Sequence, residues 1–174
     1  SAIFSNPTSA GVSLRNTGAT AASRTLVLLN GIPQNDPFGG WVYWTRYEAA
    51  ALDSIRIVPS SRSAVWGNQG PTGVVQMDGN APFQNRHVLS VGGGSQGTIR
   101  ASTVNQMSNA ENTEAVAFSA FGLHSDGFYA VDKSQRGAVD RKLDLDAWGA
   151  DLGVAFLAAP GLTVQPMFSY YSEE

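Results

Sequence analysis

The chain has no cysteine in its 174 residues. Disulfides and thiolate metal sites are therefore excluded, and cysteine usage says nothing about the redox compartment. Charge is scarce as well. Asp, Glu, Lys and Arg make up 14% of the chain, against about 25% in ordinary soluble domains. The net charge of -3 and a pI near 5.3 argue against a nucleic-acid groove. His87 and His124 are the only histidines. They fall in different segments, with no HxxxH or carboxylate-partner spacing visible in the sequence, so no metal site is expected. No apolar run approaches the ~18 residues of a membrane helix, and Ser1 does not open a signal peptide. The chain starts without Met and ends at Ser172-Glu173-Glu174, directly after a strand-like run. Both ends look cut, so a piece of a longer protein is expected.

Catalytic patterns are missing too. Gly92–Gly97 is glycine-rich, but a strand follows it rather than a helix and no Lys-Ser/Thr comes next. A phosphate site would need that helix N-terminus. No GxSxG is present. Asp140, Asp144 and Asp146 cluster near a long loop without the spacing of a calcium loop, and read as a solvated rim. No catalytic residue, cofactor or metal is expected.

What the chain does have is glycine, small polar residues and aromatic rings. The run Arg24–Trp44 (RTLVLLNGIPQNDPFGGWVYW) is the most informative stretch. Leu26–Leu29 is an apolar run expected to form a fully buried short strand. Asn30-Gly31 ends it, and a loop of Pro, Gly, Asn and Asp follows, carrying Phe38, Trp41, Tyr43 and Trp44. Gly reaches positive φ and Pro fixes its own, so this is turn punctuation. The rings either pack under their own loop or face something outside the chain.

Around this stretch the first half reads as short strands joined by long loops. Val12–Arg15 and Ile55–Val58 suit strands, and Val74–Met77 suits another. Tyr47–Leu52 suits a short helix ended by Asp53-Ser54, and Ser60–Val65 one helical turn. Arg15, Arg24, Arg56 and Arg62 stand out in a charge-poor half, as surface arginines or as partners for acidic groups on a surrounding wall.

After Asp78–Pro82 the period becomes two. Strands are expected at His87–Gly93, Thr98–Val104, Ala115–Leu123, Trp148–Phe156 and from Leu162 to Tyr171. Trp148, Ala150, Leu152, Val154 and Phe156 share one face of their strand. Gly149, Asp151, Gly153 and Ala155 share the other. Apolar-out, small-or-polar-in alternation is the signature of membrane β-barrel strands, although a soluble β-sandwich also alternates. The uncharged second face favours the barrel, and so do Trp148, Tyr170 and Tyr171 near strand ends. Loop lengths agree with it. Gly94–Gly97 and the long segment His124–Lys142 would lie outside the membrane, with Met107–Asn112 and Ala158–Gly161 on the inner side.

Five motifs, in order over residues 5–78, resemble the plug domain of TonB-dependent outer-membrane receptors. Val12-Ser13-Leu14-Arg15 is similar to the family's strand ending in Leu-Arg-Gly. Arg24–Pro33 is similar to its Leu-Val-Leu-Leu-Asp-Gly-Val-Pro segment. Asn35–Trp44 resembles a plug loop of one branch. Ser63–Gly67 and Thr72–Val75 resemble Ser-x-Leu-Tyr-Gly and Gly-Gly-Val-Ile. Asn16 stands where the family usually has Gly. Pro59-Ser60 stand where it usually has Arg-Gly, an arginine that ties plug to barrel. Asn30 replaces the Asp of Asp-Gly, which a turn tolerates equally.

The resemblance implies an α+β plug domain at 1–78, followed at 79–174 by the first five antiparallel transmembrane β-barrel strands, a partial barrel. It implies transport and not catalysis, in the bacterial outer membrane. The solute would be large and scarce, such as a ferric siderophore or cobalamin. The implied partners are outer-membrane lipid and the TonB energy-transducing complex, whose contact segment is expected to lie outside this chain. Asn35, Phe38, Trp41, Tyr43 and Trp44 would form a solute-facing apical loop, and Arg15 and Arg62 are candidates for a plug–barrel latch. The alternative is a soluble β-rich binding module, for carbohydrate or a similar ligand.

Overall fold

The computed structural model describes residues 12, 14, 25–59, 70, 72–79 and 81–174. Expectations that fall on Arg15, Asn16, Arg24 and Arg62, on the turn at 60–65 and on the motif at 63–67 lie outside the described residues. The chain divides into two compact units. One comprises Ser1–Thr45 and Leu52–Asn80, the other Arg46–Ala51 and Ala81–Glu174.

The first unit is a four-stranded sheet. Its strands are β1 (Thr25–Leu29), β2 (Ile32–Pro33), β3 (Leu52–Val58) and β4 (Gly73–Gly79), in the order β2-β1-β4-β3. β1 runs parallel to β4, with Thr25 opposite Gly73 and Leu29 opposite Met77. A central strand in a parallel pair is covered on both faces, so it needs a continuous apolar run and not alternation. Leu26, Val27 and Leu28 meet that need. All three are buried, and Leu26 and Leu28 pack with Val74. The hairpin from β1 to β2 turns at Asn30 (φ 51) and Gly31 (φ 80), the positive-φ pair of a two-residue turn. Asn30 does more than turn the chain, because its side-chain oxygen accepts the Gly79 N–H at 2.8 Å.

The expected helix Tyr47–Leu52 is not formed. Short 3-10 turns occupy Trp44–Arg46 and Ala49–Ala51 instead, and β3 begins at Leu52. Leu52 pairs with Gly79 and Ser54 with Asp78, with an irregularity between Leu52 and Ser54. Cross-strand pairing has overridden local helix propensity, a weak preference over six residues. No α-helix occurs among the described residues, so the described part of this unit is β-structure with 3-10 turns.

The second unit is an antiparallel meander. It contains β5 (Arg86–Gly93), β6 (Ile99–Ser108), β7 (Glu114–Ser125), β8 (Leu145–Ala159), β9 (Leu162–Val164) and β10 (Met167–Glu173). The path is β10-β8-β7-β6-β5, with β9 on β8. β9 and β10 continue one register on β8: Val164 faces Phe156 and Met167 faces Gly153. Pro166 separates them because it has no N–H to give the ladder, although its carbonyl still accepts from Val154. The sheet is open, with β5 and β10 at its edges. Its ends match the expected loop parity. Asp126 N–H reaches Gln96 O at one end, and Leu157 N–H reaches Thr113 O at the other.

The faces of this sheet are distributed as the alternation predicts. Trp148, Leu152, Val154 and Phe156 are exposed, while Ala147, Gly149 and Ala155 are buried. Register aligns Phe118, Leu152 and Phe168 across three strands, and all three are exposed. Trp148 and Tyr170 stack on this outer face at 4.8 Å. Tyr171 lies on the other face, opposite Gly149, with its ring centroid 6.2 Å from that of Phe121. It therefore does not join the outer aromatics. Gly149 makes this inner packing possible, since a Cβ there would sit 2.7 Å from the Phe121 ring and 3.0 Å from Tyr170 O.

Candidate functional site

The loop after β2 is built around two side chains. Asn35 turns its amide back on β1. Its oxygen accepts Val27 N–H at 2.7 Å, and its nitrogen donates to Thr25 O and Gly40 O, both at 3.0 Å. It acts as a short extra strand made of one side chain. Asp36 ties the tip: its carboxylate accepts Phe38 N–H at 2.9 Å and Gly39 N–H at 2.7 Å. Asp36 N–H donates to Trp41 O and Gly40 N–H to Asp36 O, both at 2.8 Å. Asx geometry of this kind substitutes side-chain acceptors for missing backbone partners. The result is a pre-ordered loop.

That loop distinguishes its rings. Phe38, at the tip, is 97% exposed. Trp41 folds back over Gly39, where a Cβ would overlap the indole ring, and its Nε1 is buried without a hydrogen-bond partner. Tyr43 and Trp44 are half-buried and follow the fully buried Val42. The five expected loop residues thus lie together, and Phe38 alone among them presents a fully free face. The polar atoms of Asn35 are engaged inside the loop.

The inner face of the strand sheet holds a second constellation, missed in the sequence reading. Arg46–Ala51 packs with the strands and not with its neighbours in sequence. Glu48 forms an ion pair with Arg100 on β6. Their side chains are only 10% and 30% exposed. Arg100 also lies 4.5 Å over the Phe121 ring. Arg46 donates to Ser169 Oγ on β10 at 3.3 Å. Ser169 in turn donates to Asp151 on β8, which also accepts from Ser119 at 2.9 Å. Between the two, burial pushes the Tyr47 phenol up to about 12, with Arg46 opposing and Asp151 reinforcing. The legible signal was that Arg100 and Asp151 are lone charges on otherwise uncharged strand faces. Buried charges need partners.

The remaining polar groups are less organised for chemistry. His124 Nδ1 lies 2.7 Å from Asp146, and its Nε2 lies 3.5 Å from Asp126. His87 contacts Asn105 at 3.2 Å. Asp140 accepts Gly137 N–H at 2.6 Å. Among the described residues no group of three ligating side chains could hold a metal ion.

Comparison with known proteins places these features. Residues 3–74 match the model of the TonB-dependent Receptor Plug Domain. No curated protein matches the chain. Among the solved structures that share the fold are the following two. The siderophore receptor PirA from Acinetobacter baumannii is 16% identical, with a TM-score of 0.63 over 88% of this chain and 24% of that one. The ferric citrate transporter FecA in its unliganded form is 18% identical, with a TM-score of 0.62 over 94% of this chain and 24% of that one. The chain thus spans about a quarter of the length of these solved structures. By description the matches are receptors and a transporter, not enzymes. Residues 3–74 thus match the plug domain of TonB-dependent receptors, and most of the chain shares the fold of about a quarter of each of these two solved structures.

Proposed function

We propose that the chain serves active uptake of a scarce, large solute through the bacterial outer membrane, driven by the TonB complex. The solute class is that of a ferric siderophore, ferric citrate or cobalamin. The observation that carries this reading is the two-faced strand sheet. Phe118, Leu152 and Phe168 form an exposed apolar row, while the opposite face mixes small and polar residues with the covered Phe121 and Tyr171 rings. In water such an apolar row would be covered. Against lipid it is the face a barrel strand presents. The soluble-module alternative leaves this row without a partner. Residues 1–78 are then the plug and 79–174 the opening barrel strands, with Arg46–Ala51 a plug segment that keeps company with the strands.

Solute contact falls to the loop Asn35–Trp44. Phe38 stands at its exposed tip, and the internal hydrogen bonds of Asn35 and Asp36 reduce the ordering cost of binding. Trp41, Tyr43 and Trp44 shape the loop beneath it.

The test uses the full-length receptor in cells. Uptake of radiolabelled iron as ferric citrate, and of labelled cobalamin, is measured with and without TonB. Saturable, TonB-dependent uptake of one probe is expected. Phe38→Ala should weaken binding of the accepted probe roughly tenfold, the effect of one exposed aromatic anchor, at unchanged folding. A receptor that is monodisperse in plain buffer, or uptake indifferent to TonB, would overturn the proposal.

A further inference from the structure

Asn30-Gly31 is the single Asn-Gly pair in the chain. Asparagine is chemically labile, most of all before glycine, whose missing side chain leaves the next backbone nitrogen open to attack the amide. Three features of the turn leave this pair open to that reaction. Both residues are exposed. Nothing lies within 4 Å of the point where a Gly31 side chain would begin. The Gly31 N–H and the Asn30 Nδ2 make no hydrogen bond among the described residues. The attacking nitrogen and the leaving group are thus both uncommitted.

One contact stands against the reaction. Asn30 Oδ1 accepts the Gly79 N–H at 2.8 Å, and the amide lies so close that a Cβ on Gly79 would sit 3.2 Å from Nδ2. The bond anchors the Asn30 side chain on β4 and restrains the rotation that would bring Cγ onto the Gly31 nitrogen. It also occupies the Gly79 nitrogen, the group that would attack Asp78 in the adjoining Asp78-Gly79 pair. Hydrogen bonds from Gln76 and Ser54 keep Asp78 a carboxylate, which is a poor electrophile. One hydrogen bond therefore restrains the electrophile of one cyclising pair and the nucleophile of another, and Asn30 is the reactive member. Asn112 supplies the contrast. It too is exposed in a turn at positive φ (53). The residue after it is the β-branched Thr113, whose N–H already donates to Asn109 Oδ1 at 2.9 Å.

We propose that Asn30 is a site of spontaneous deamidation in the folded chain, with Gly79 as its guard and water as co-reactant. The Gly31 nitrogen gives up its proton and bonds to Asn30 Cγ. The Cγ–Nδ2 bond breaks, and the amide nitrogen leaves as ammonia with that proton. Water then opens the ring, at the side-chain carbonyl to give aspartate or at the main-chain carbonyl to give isoaspartate. Aspartate keeps an oxygen for the Gly79 N–H, now in a charge-assisted bond. Isoaspartate adds a carbon to the main chain and breaks the register that sets Leu28 opposite Pro33 and Leu29 opposite Ile32. The fold therefore favours the aspartate product. None of this depends on the transport reading.

The experiment uses the full-length protein, purified in detergent and held in mildly alkaline buffer made with heavy-oxygen water. Peptide mass spectrometry reads label uptake at Asn30 and Asn112, and methylation by an isoaspartate methyltransferase reads the linkage of the product. Folded wild type, wild type in denaturant and Gly79→Ala are followed in parallel. Asn30 should convert well ahead of Asn112 in the folded protein. Gly79→Ala crowds the Asn30 amide and should speed conversion roughly fivefold to tenfold, the worth of one hydrogen bond. Denaturant should speed it at least as much and raise the isoaspartate share, because it opens the whole turn. Asn30→Asp should melt like wild type. A folded-state rate at Asn30 no higher than at Asn112, equal rates in the folded and denatured protein, or a Gly79→Ala rate equal to wild type would each overturn the proposal. If Gly79→Ala does not fold, the folded and denatured rates decide alone. An equal isoaspartate share in both states, or a clear fall in the melting temperature of Asn30→Asp, would overturn the assignment of the product.

Discussion

β1 and β8 are both rich in apolar residues, and they place them in opposite ways. β1 buries Leu26, Val27 and Leu28 on both of its faces within protein. β8 turns Trp148, Leu152, Val154 and Phe156 outward, and between Ala147 and Ala155 its inner face holds small residues and one acid. A strand of the first kind is stabilised by its own unit. A strand of the second kind is complete only against a non-aqueous neighbour. Hydrophobic content therefore says little about a strand's environment, and period says a good deal.

The comparison can be broken most directly by deleting or adding atoms at matched positions. Leu28 is 2% exposed, so Leu28→Ala should cost about 2–5 kcal/mol through lost transfer energy and a cavity. Denaturant unfolding of the solubilised receptor measures it. Leu152 is 49% exposed, yet Leu152→Arg should cost about 2–4 kcal/mol in a bilayer if the residue faces its middle. Gly153→Arg points to the inner face, so it should escape the lipid penalty and disturb packing near Ala117 and Pro166 instead. Equal and negligible effects at 152 and 153 in a bilayer would erase the contrast between the units.

Smaller effects sharpen the picture of the first unit. Asn35→Ala removes three hydrogen bonds and strands the Val27 N–H, at a cost of about 1–3 kcal/mol. Asn35→Asp keeps the acceptor for Val27 but sets a carboxylate oxygen against the Thr25 and Gly40 carbonyls, so its melting temperature should also fall below wild type. If Asn35→Ala melts like wild type while solute binding collapses, the side chain serves the solute and not the loop.

The least effect is expected from pH. Hydrogen bonds from Gln76 and Ser54 hold the Asp78 carboxyl below its usual 3.8, with Arg56 adding to them. A depressed folded-state value means the stabilisation is present above the ordinary carboxylate value and is lost as pH falls through the lower one. Asp78→Asn should therefore flatten the acid limb of the stability curve. An acid limb identical to wild type would show that these bonds do not survive in solution.

Much of this architecture is legible in the sequence. The apolar run Leu26–Leu29, buried as far as Leu28, the Asn30-Gly31 turn and the two-faced alternation in Trp148–Phe156 are local patterns. The strand starts were less legible: β3 reaches back to Leu52 and β8 runs from Leu145 to Ala159, because pairing with a neighbour extends a strand past what its own residues signal. The expected helix at Tyr47–Leu52 failed for a related reason. Its favourable propensity over six residues was weaker than the ladder at one end and the charge contacts at the other.

The candidate loop was found by composition, but composition could not rank its rings. Phe38 and Trp41 are both aromatic residues beside a glycine. Only the Asp36 turn decides that one points away and the other folds back over Gly39. The constellation around Arg46 and Glu48 was harder to see. Arg46 and Ser169 stand 123 positions apart in the chain, and no spacing rule reaches that far.

What the sequence determined by itself is the character of each strand, through period, and the identity of its turns, through residues that permit positive φ. Both are local, set by sterics and by which side of a pleat a side chain occupies. What the tertiary structure decided is which lone charges meet. Arg100 and Asp151 sit on separate strands; Glu48, which pairs with Arg100, stands 52 positions earlier in the chain, and Arg46 reaches Asp151 only by way of Ser169. Only a folded sheet brings those positions within reach, and only removal from water makes the pairing decisive.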